Sequence, residues 1–261
     1  MDLQLKGKTA LILGGSKGLG RGVADALAAE GVAVALMARG QEGLDRAVSE
    51  ITSRGAKAAG FVADLANWPS IEDAANAARK QLGAIDILLN NSGGPPPSGV
   101  AGVSARVWEE QFNAMVLPLF RITDLLLGDM RARKWGRILN VASMSVVEPI
   151  ATIGVSNTLR SAIVGWAKTL ATETARDGIT VNTLLPGPIA TDRTVQLSRA
   201  AADRENISVE EAIKRSADSI PVGRLGTPAE FGAVAAFLAS PLAAYVTGSL
   251  IRVDGGAIRS V

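Results

Sequence analysis

Short, nearly unbroken apolar runs recur along the chain at residues 9–13 (TALIL), 32–37 (VAVALM), 58–62 (AAGFV), 85–89 (IDILL), 137–141 (RILNV), 179–185 (ITVNTLL) and 250–253 (LIRV). Runs of this length, without polar alternation, are the mark of strands covered on both faces. Between them lie longer segments with helical spacing, such as 21–30, 41–54 and 71–82. Strands alternating with helices predict an α/β architecture. The expected fold is a doubly wound, mainly parallel sheet of seven strands with helices on both faces. It would form a single domain over residues 1–261, with no linker and no internal repeat.

Some helices are signed more finely. Residues 115–131 and 154–176 carry apolar side chains over wide arcs. In the second, Val155, Leu159, Ala162, Ile163, Trp166 and Leu170 would form one buried stripe, with Ser156 and Arg160 stacked four residues apart on another face. Thr227-Pro-Ala-Glu230 and Ser208-Val-Glu-Glu211 both read as capping boxes. The stretch 192–219 is more polar than its surroundings, and its length suits a lid over whatever binds at the sheet's carboxyl edge. Pro95, Pro96 and Pro97 stiffen one loop and are expected to shape a wall of the pocket.

Composition narrows the chemistry. Hydrophobic residues make up 48% and charged residues 20%, which argues against disorder. Basic residues exceed acidic ones by only 27 − 25 = 2 and are spread along the chain, so no nucleic-acid-binding patch is expected. The chain has no cysteine and no histidine. That removes disulfides, thiolate catalysis, imidazole or thiolate metal sites and any Ser-His-Asp triad, and no metal is expected. No apolar run reaches membrane-spanning length and no secretory signal is evident, so a cytoplasmic protein without a membrane partner is expected. Reaction chemistry has to come from hydroxyls, carboxylates, Lys, Arg, backbone dipoles or a cofactor.

The first strand is followed by Gly14-Gly15-Ser16-Lys17-Gly18-Leu19-Gly20 and then a helix. Glycines there let the backbone turn sharply and approach a pyrophosphate, whose charge the helix N-terminus stabilises. At the end of the second strand stands Arg39 rather than a carboxylate. An acid at that place would accept bonds from the ribose hydroxyls of NAD; an arginine can pair with the 2′-phosphate of NADP. Lys17 adds a second cation, and NADP(H) is the expected cofactor. The alternative for Arg39 is a solvated surface charge.

With these residues in place, the sequence resembles the short-chain dehydrogenases/reductases, and within them the 3-oxoacyl-carrier-protein reductase-like branch, over residues 6–256. Gly14, Gly18 and Gly20 match the family's TGxxxGxG, with Leu13 in place of Thr. Asp64-Leu65 matches the pair whose carboxylate meets the adenine amino group. Asn90-Asn91-Ser92-Gly93 is similar to NNAG, with Ser for Ala. Pro186-Gly187-Pro188-Ile189 with Thr191-Asp192 matches the motif at the nicotinamide end, and Val253-Asp254-Gly255-Gly256 matches the closing VDGG. The resemblance implies a Rossmann fold, a small-molecule substrate and a homo-oligomer, with the tetramer favoured.

The catalytic positions depart from that pattern. Ser143 matches the family's carbonyl-polarising serine, but the positions of its tyrosine and lysine are held by Ser156 and Arg160. The helical asparagine falls on Met115, with Asn113 two residues early. A phenol beside a cation approaches neutral pKa, whereas an alkyl hydroxyl is a far weaker acid. Arg160 keeps its charge and can bind the nicotinamide ribose, but it does not pass on a proton. The residues therefore support two main readings, beside a third, a non-redox lyase or isomerase on the same scaffold. One is an NADPH-dependent oxidoreductase reducing a carbonyl, such as a 3-oxoacyl group, or an activated double bond with an altered catalytic set. The other is an NADP(H)-binding protein with little or no turnover, acting as a sensor or assembly partner. Ser156 capping its helix and Arg160 in a surface ion pair are the structural alternatives for those two residues.

Overall fold

The computed structural model describes residues 1–261. Its strands are β1 (Thr9–Leu13), β2 (Ala33–Ala38), β3 (Ala58–Val62), β4 (Ile87–Asn90), β5 (Gly136–Val141), β6 (Ile179–Pro186) and β7 (Leu250–Val253). All pair in parallel, in the order β3-β2-β1-β4-β5-β6-β7. The expected seven-stranded doubly wound sheet is therefore present. The chain runs outward from β1 to β3, then crosses back to place β4 on the other side of β1. That reversal opens a crevice at the carboxyl ends of β1 and β4, where ligands of such sheets bind.

The helices are α1 (Gly18–Ala29), α2 (Gln41–Thr52), α3 (Trp68–Leu82), α4 (Ala105–Met115), α5 (Leu117–Arg133), α6 (Gly154–Thr174), α7 (Asp192–Glu205), α8 (Val209–Asp218) and α9 (Pro228–Ala239). Side-chain alternation in β1 shows how both faces are filled. Leu11 and Leu13 point into a core with α3, α5 and α6, and Ala10 and Ile12 into one with α1, α2 and α9. Helices α1 and α9 approach so closely that a Cβ on Gly22 would lie 2.2 Å from the Pro228 carbonyl oxygen. No helix is long and apolar enough to cross a membrane.

Several details differ from the sequence expectation. The segment expected as one helix from residue 115 is preceded by α4; the chain breaks at Val116, and Pro118 starts α5 in the first turn, where its missing N–H is harmless. On α6 the buried stripe runs through Val155, Leu159, Ile163, Ala167, Leu170 and Ala171, while Ala162 is exposed and Trp166 half-buried against Phe120. The Thr227 box is complete. At Ser208 the hydroxyl accepts the Glu211 amide, but Glu211 does not return the bond; it pairs with Arg215 instead. The polar stretch 192–219 folds as α7 and α8, which pack on each other outside both main layers.

Candidate active site

The glycine turn is built by what its residues lack. Gly14 and Gly18 have φ of +65° and +58°, backbone that L side chains rarely adopt. A Cβ on Gly20 would sit 2.3 Å from the Gly14 carbonyl oxygen. Asn91 Nδ2 donates to the Leu13 carbonyl at 3.1 Å and braces the turn from the end of β4. Lys17, at the N-cap of α1, makes no capping side-chain bond, so the first amides of α1 are left for an anion. Ser16 faces Gly43 at the start of α2, and Leu19 packs on the core.

Arg39 follows β2, is exposed and enters none of the chain's ion pairs. Asp64 follows the neighbouring strand β3, where its Oδ1 accepts the Ala66 amide at 3.0 Å; Leu65 packs on the core beside it. These features fit a phosphorylated dinucleotide: uncapped amides at the start of α1, an unpaired cation past β2 and a carboxylate past β3.

Lys17 is placed differently from the sequence expectation. Its Nζ pairs with Asp192 at 2.7 Å, and both side chains are well exposed. This ion pair links the glycine turn to the start of α7. Thr191, the N-cap of α7, also touches the turn: a Cβ on Gly18 would lie 3.6 Å from its methyl group. Pro186, Gly187 and Ile189 hold this corner in register. Pro186 pairs with Val253, Gly187 N–H donates to the Val253 carbonyl at 3.0 Å, and Ile189 bridges to Gly226.

From α7 the rim continues across the crevice. Arg193 Nη2 donates to the Pro95 carbonyl at 2.8 Å, and its Nη1 to Gln196 Oε1 at 2.8 Å. Arg160, from α6, donates to the carbonyls of Gly93 (3.1 Å), Ser92 (3.4 Å) and Val141 (2.9 Å). It thus joins the loop after β4 to the end of β5, and it makes no surface ion pair. Burial and the nearby charge of Arg193 lower its pKa to about 10, so it stays charged at neutral pH. Burial lowers the pKa of Arg193 as well. Sequence reasoning missed Arg193; its only signal was its place two residues beyond Thr191.

Ser143 stands at the end of β5 in extended backbone and begins a single 3-10 turn, Met144–Val146. Its Oγ accepts the Ser145 amide at 3.1 Å, which orients the hydroxyl and leaves its own proton to donate elsewhere. Ser156 is 4% exposed and lies in the first turn of α6, whose N-cap is Ile153. Its hydroxyl caps nothing; unlike Ser92 Oγ and Ser145 Oγ, it is not among the polar atoms sealed from solvent without a partner. Met115 is buried in the core and Asn113 is exposed, so neither offers an amide where the resemblance expected one. The single tyrosine, Tyr245, is fully exposed on the turn before β7.

Comparison with known proteins follows this geometry. The family model described as enoyl-(acyl carrier protein) reductase matches residues 14–257. The 3-oxoacyl-[acyl-carrier-protein] reductase FabG of Vibrio harveyi is 34% identical over 256 residues, 97% of this chain and 98% of that protein. Among solved structures, L-sorbose reductase from Gluconobacter frateurii, complexed with NADPH and L-sorbose, superposes with a TM-score of 0.93 at 29% identity over the whole of both chains. A variant of actinorhodin polyketide ketoreductase solved with NADPH gives a TM-score of 0.91 at 33% identity, covering 96% of this chain and 97% of the other.

Proposed function

The chain belongs to the short-chain dehydrogenase/reductase family, and from that premise we propose that it is an NADP(H)-dependent reductase of a carbonyl or activated double bond. Ser143, Ser156 and Arg160 take the places of the family's catalytic Ser, Tyr and Lys. The observation that carries this reading is the Ser143 hydroxyl, fixed by the Ser145 amide with its proton free, on the strand end that Arg160 also grips. The cofactor reading rests on the uncapped α1 terminus and the unpaired Arg39. Related reductases solved with NADPH support it.

When bound, a reduced nicotinamide supplies a hydride. The chain's own residues do the rest. Gly14, Gly18 and Gly20 admit the pyrophosphate, and Arg39 selects the 2′-phosphate. Asp64 with Leu65 bounds the adenine end, Asn91, Ser92 and Gly93 line the path past β4, and Pro186, Gly187, Ile189 and Thr191 position the nicotinamide end. Ser143 donates a hydrogen bond to the oxygen that gains negative charge, and the fixed charge of Arg160 stabilises it. Ser156 Oγ is the side-chain hydroxyl left to relay a proton. As a weak acid it is a slow donor, which suits a substrate needing little acid assistance. Helices α7 and α8 act as the lid, tied to the rim by Lys17–Asp192 and Arg193–Pro95. We also propose a homotetramer built on α5 and α6, supported by exposed Leu117 and by the small outward side chains of Ser161, Ala162 and Gly165; light scattering on the purified protein tests it.

A second reading has its own observation. Arg160 is already committed to three backbone carbonyls and Ser156 is an alkyl hydroxyl, so the site is built to bind more firmly than to transfer protons. An NADP(H) sensor or assembly partner would look like this. Measuring NADPH affinity, then NADPH consumption with ketones, oxoacyl thioesters, quinones and enones, separates the two. Turnover that collapses in Ser143→Ala supports the reductase; tight binding with no turnover on any of them supports the sensor.

A further inference from the structure

The loop from Ser92 to Pro95 holds two guanidinium groups. Arg160 binds the carbonyls of Ser92 and Gly93; Arg193 binds that of Pro95 and lies over Gly94, where a Cβ would meet its Nη2 at 3.0 Å. The loop's composition explains the attraction. Pro95, Pro96 and Pro97 have no N–H, so this stretch offers carbonyl acceptors with few competing donors. No carboxylate stands within 4 Å of either guanidinium: the only forces shifting Arg160 are burial and Arg193, and the only one shifting Arg193 is burial.

Two like charges on one loop, both partly buried and without a counter-charge, are unfavourable by themselves. Carbonyl dipoles offset part of that, yet both groups keep donors in reserve. Of five N–H each, Arg160 uses three and Arg193 two. Planar guanidinium forks with free N–H groups are matched to carboxylate oxygens. The dinucleotide's own phosphates are provided for at the α1 terminus and at Arg39.

We propose that Arg160 and Arg193 together receive a carboxylate of the substrate, so that the protein acts on oxo acids or enoates that bear a free carboxylate. The substrate assignment rests on the reductase reading; the anion site does not. Arg193 is the specificity-determining residue, since Arg160 also serves the cofactor end.

The test separates the two claims by using NADP⁺-loaded protein, in which a ketone binds without being reduced. Acetoacetate, levulinate and 2-oxoglutarate are titrated calorimetrically, each against its methyl ester. At least one acid is expected to bind tenfold or more tightly than its ester. Arg193→Gln breaks the tie to Pro95 for every ligand alike, so acid affinity should fall at least fivefold more than ester or NADP⁺ affinity, and Arg193→Lys should restore part of that difference. If no acid outbinds its ester, or if Arg193→Gln weakens NADP⁺ as much as the acid, the substrate-carboxylate site is wrong; the latter result would assign Arg193 to a cofactor phosphate. Acid-selective binding with no NADPH consumption by the three acids or by the ketone, oxoacyl thioester, quinone and enone panel would keep the anion site and overturn the reductase reading instead.

Discussion

The two halves of the crevice are built on opposite principles. On the β1 side the site is backbone: glycines remove atoms so that the chain can turn and a ligand can approach, and one braced asparagine holds the shape. On the β5–α6 side the site is side chains: one oriented hydroxyl, one half-sealed hydroxyl and a guanidinium spread over three carbonyls. The first half tolerates almost no addition: Gly14 and Gly18 hold positive φ, and at Gly20 the neighbouring atom is main chain and has nowhere to go. The second accepts replacement of one functional group by another of similar reach, at the expense of chemistry rather than of shape. Ser156 and Arg160 sit in the first two turns of α6 with the helix and the neighbouring strand ends intact.

The largest expected effect lies on the side-chain half. Ser143→Ala removes the oriented donor and should lower kcat by about 10²–10³, the loss usual for one oxyanion donor. NADPH affinity should stay within twofold. Steady-state kinetics with calorimetry reads both, and a matching loss of NADPH affinity would move Ser143 into the binding half.

On the backbone half, Gly20→Ala drives a methyl group into the Gly14 carbonyl and should weaken NADPH by about 3 kcal/mol, roughly 100-fold. Gly22→Ala is its control, because it meets an equally close carbonyl at Pro228, away from the turn. That variant should lose stability on the order of 2 kcal/mol, about 4–8 °C in Tm, with NADPH affinity intact. If both variants lose affinity equally, the glycine turn is not special.

Arg39→Asp is expected to weaken NADPH about 10- to 100-fold, the worth of a charge-assisted bond, with NADH changed less than threefold. Equal loss for both cofactors would make Arg39 a general surface charge.

The smallest effect concerns the cap of α9, which packs on α1. Thr227→Ala should lower stability by about 1 kcal/mol. The partner Glu230 has its pKa pulled from 4.5 down to about 2, first by Arg224 and then by Thr227. Its folded-state pKa is depressed, so its contribution is present above pH 4.5 and lost as pH falls through about 2. Acid titration of Tm in wild type and Glu230→Gln should converge only near that lower limit.

Much of this protein was legible in one dimension. Strand count, strand parallelism, the glycine turn, the Thr227 box and the missing acid after β2 are local properties: each depends on a few neighbouring residues whose spacing or stereochemistry leaves one answer. Expectations that failed were those that another side chain or the packing of the sheet overrode. Ser208 did not complete its box because Arg215 claims Glu211. Lys17 turned from a free cation into the partner of Asp192, 175 residues away. Ala162 left the core because the buried arc of α6, from Val155 round to Ala171, faces β6, and Ala162 falls just beyond its edge. Arg160 and Arg193 are 33 positions apart and neither has an unusual neighbourhood in sequence. Only the crossing of the loop after β4 between α6 and α7 brings them onto one loop. Composition and periodicity thus determined which elements form and which cofactor chemistry they favour. Which charges meet, and which stay unpaired, was decided by topology, because Coulomb interactions follow distance in space rather than along the chain.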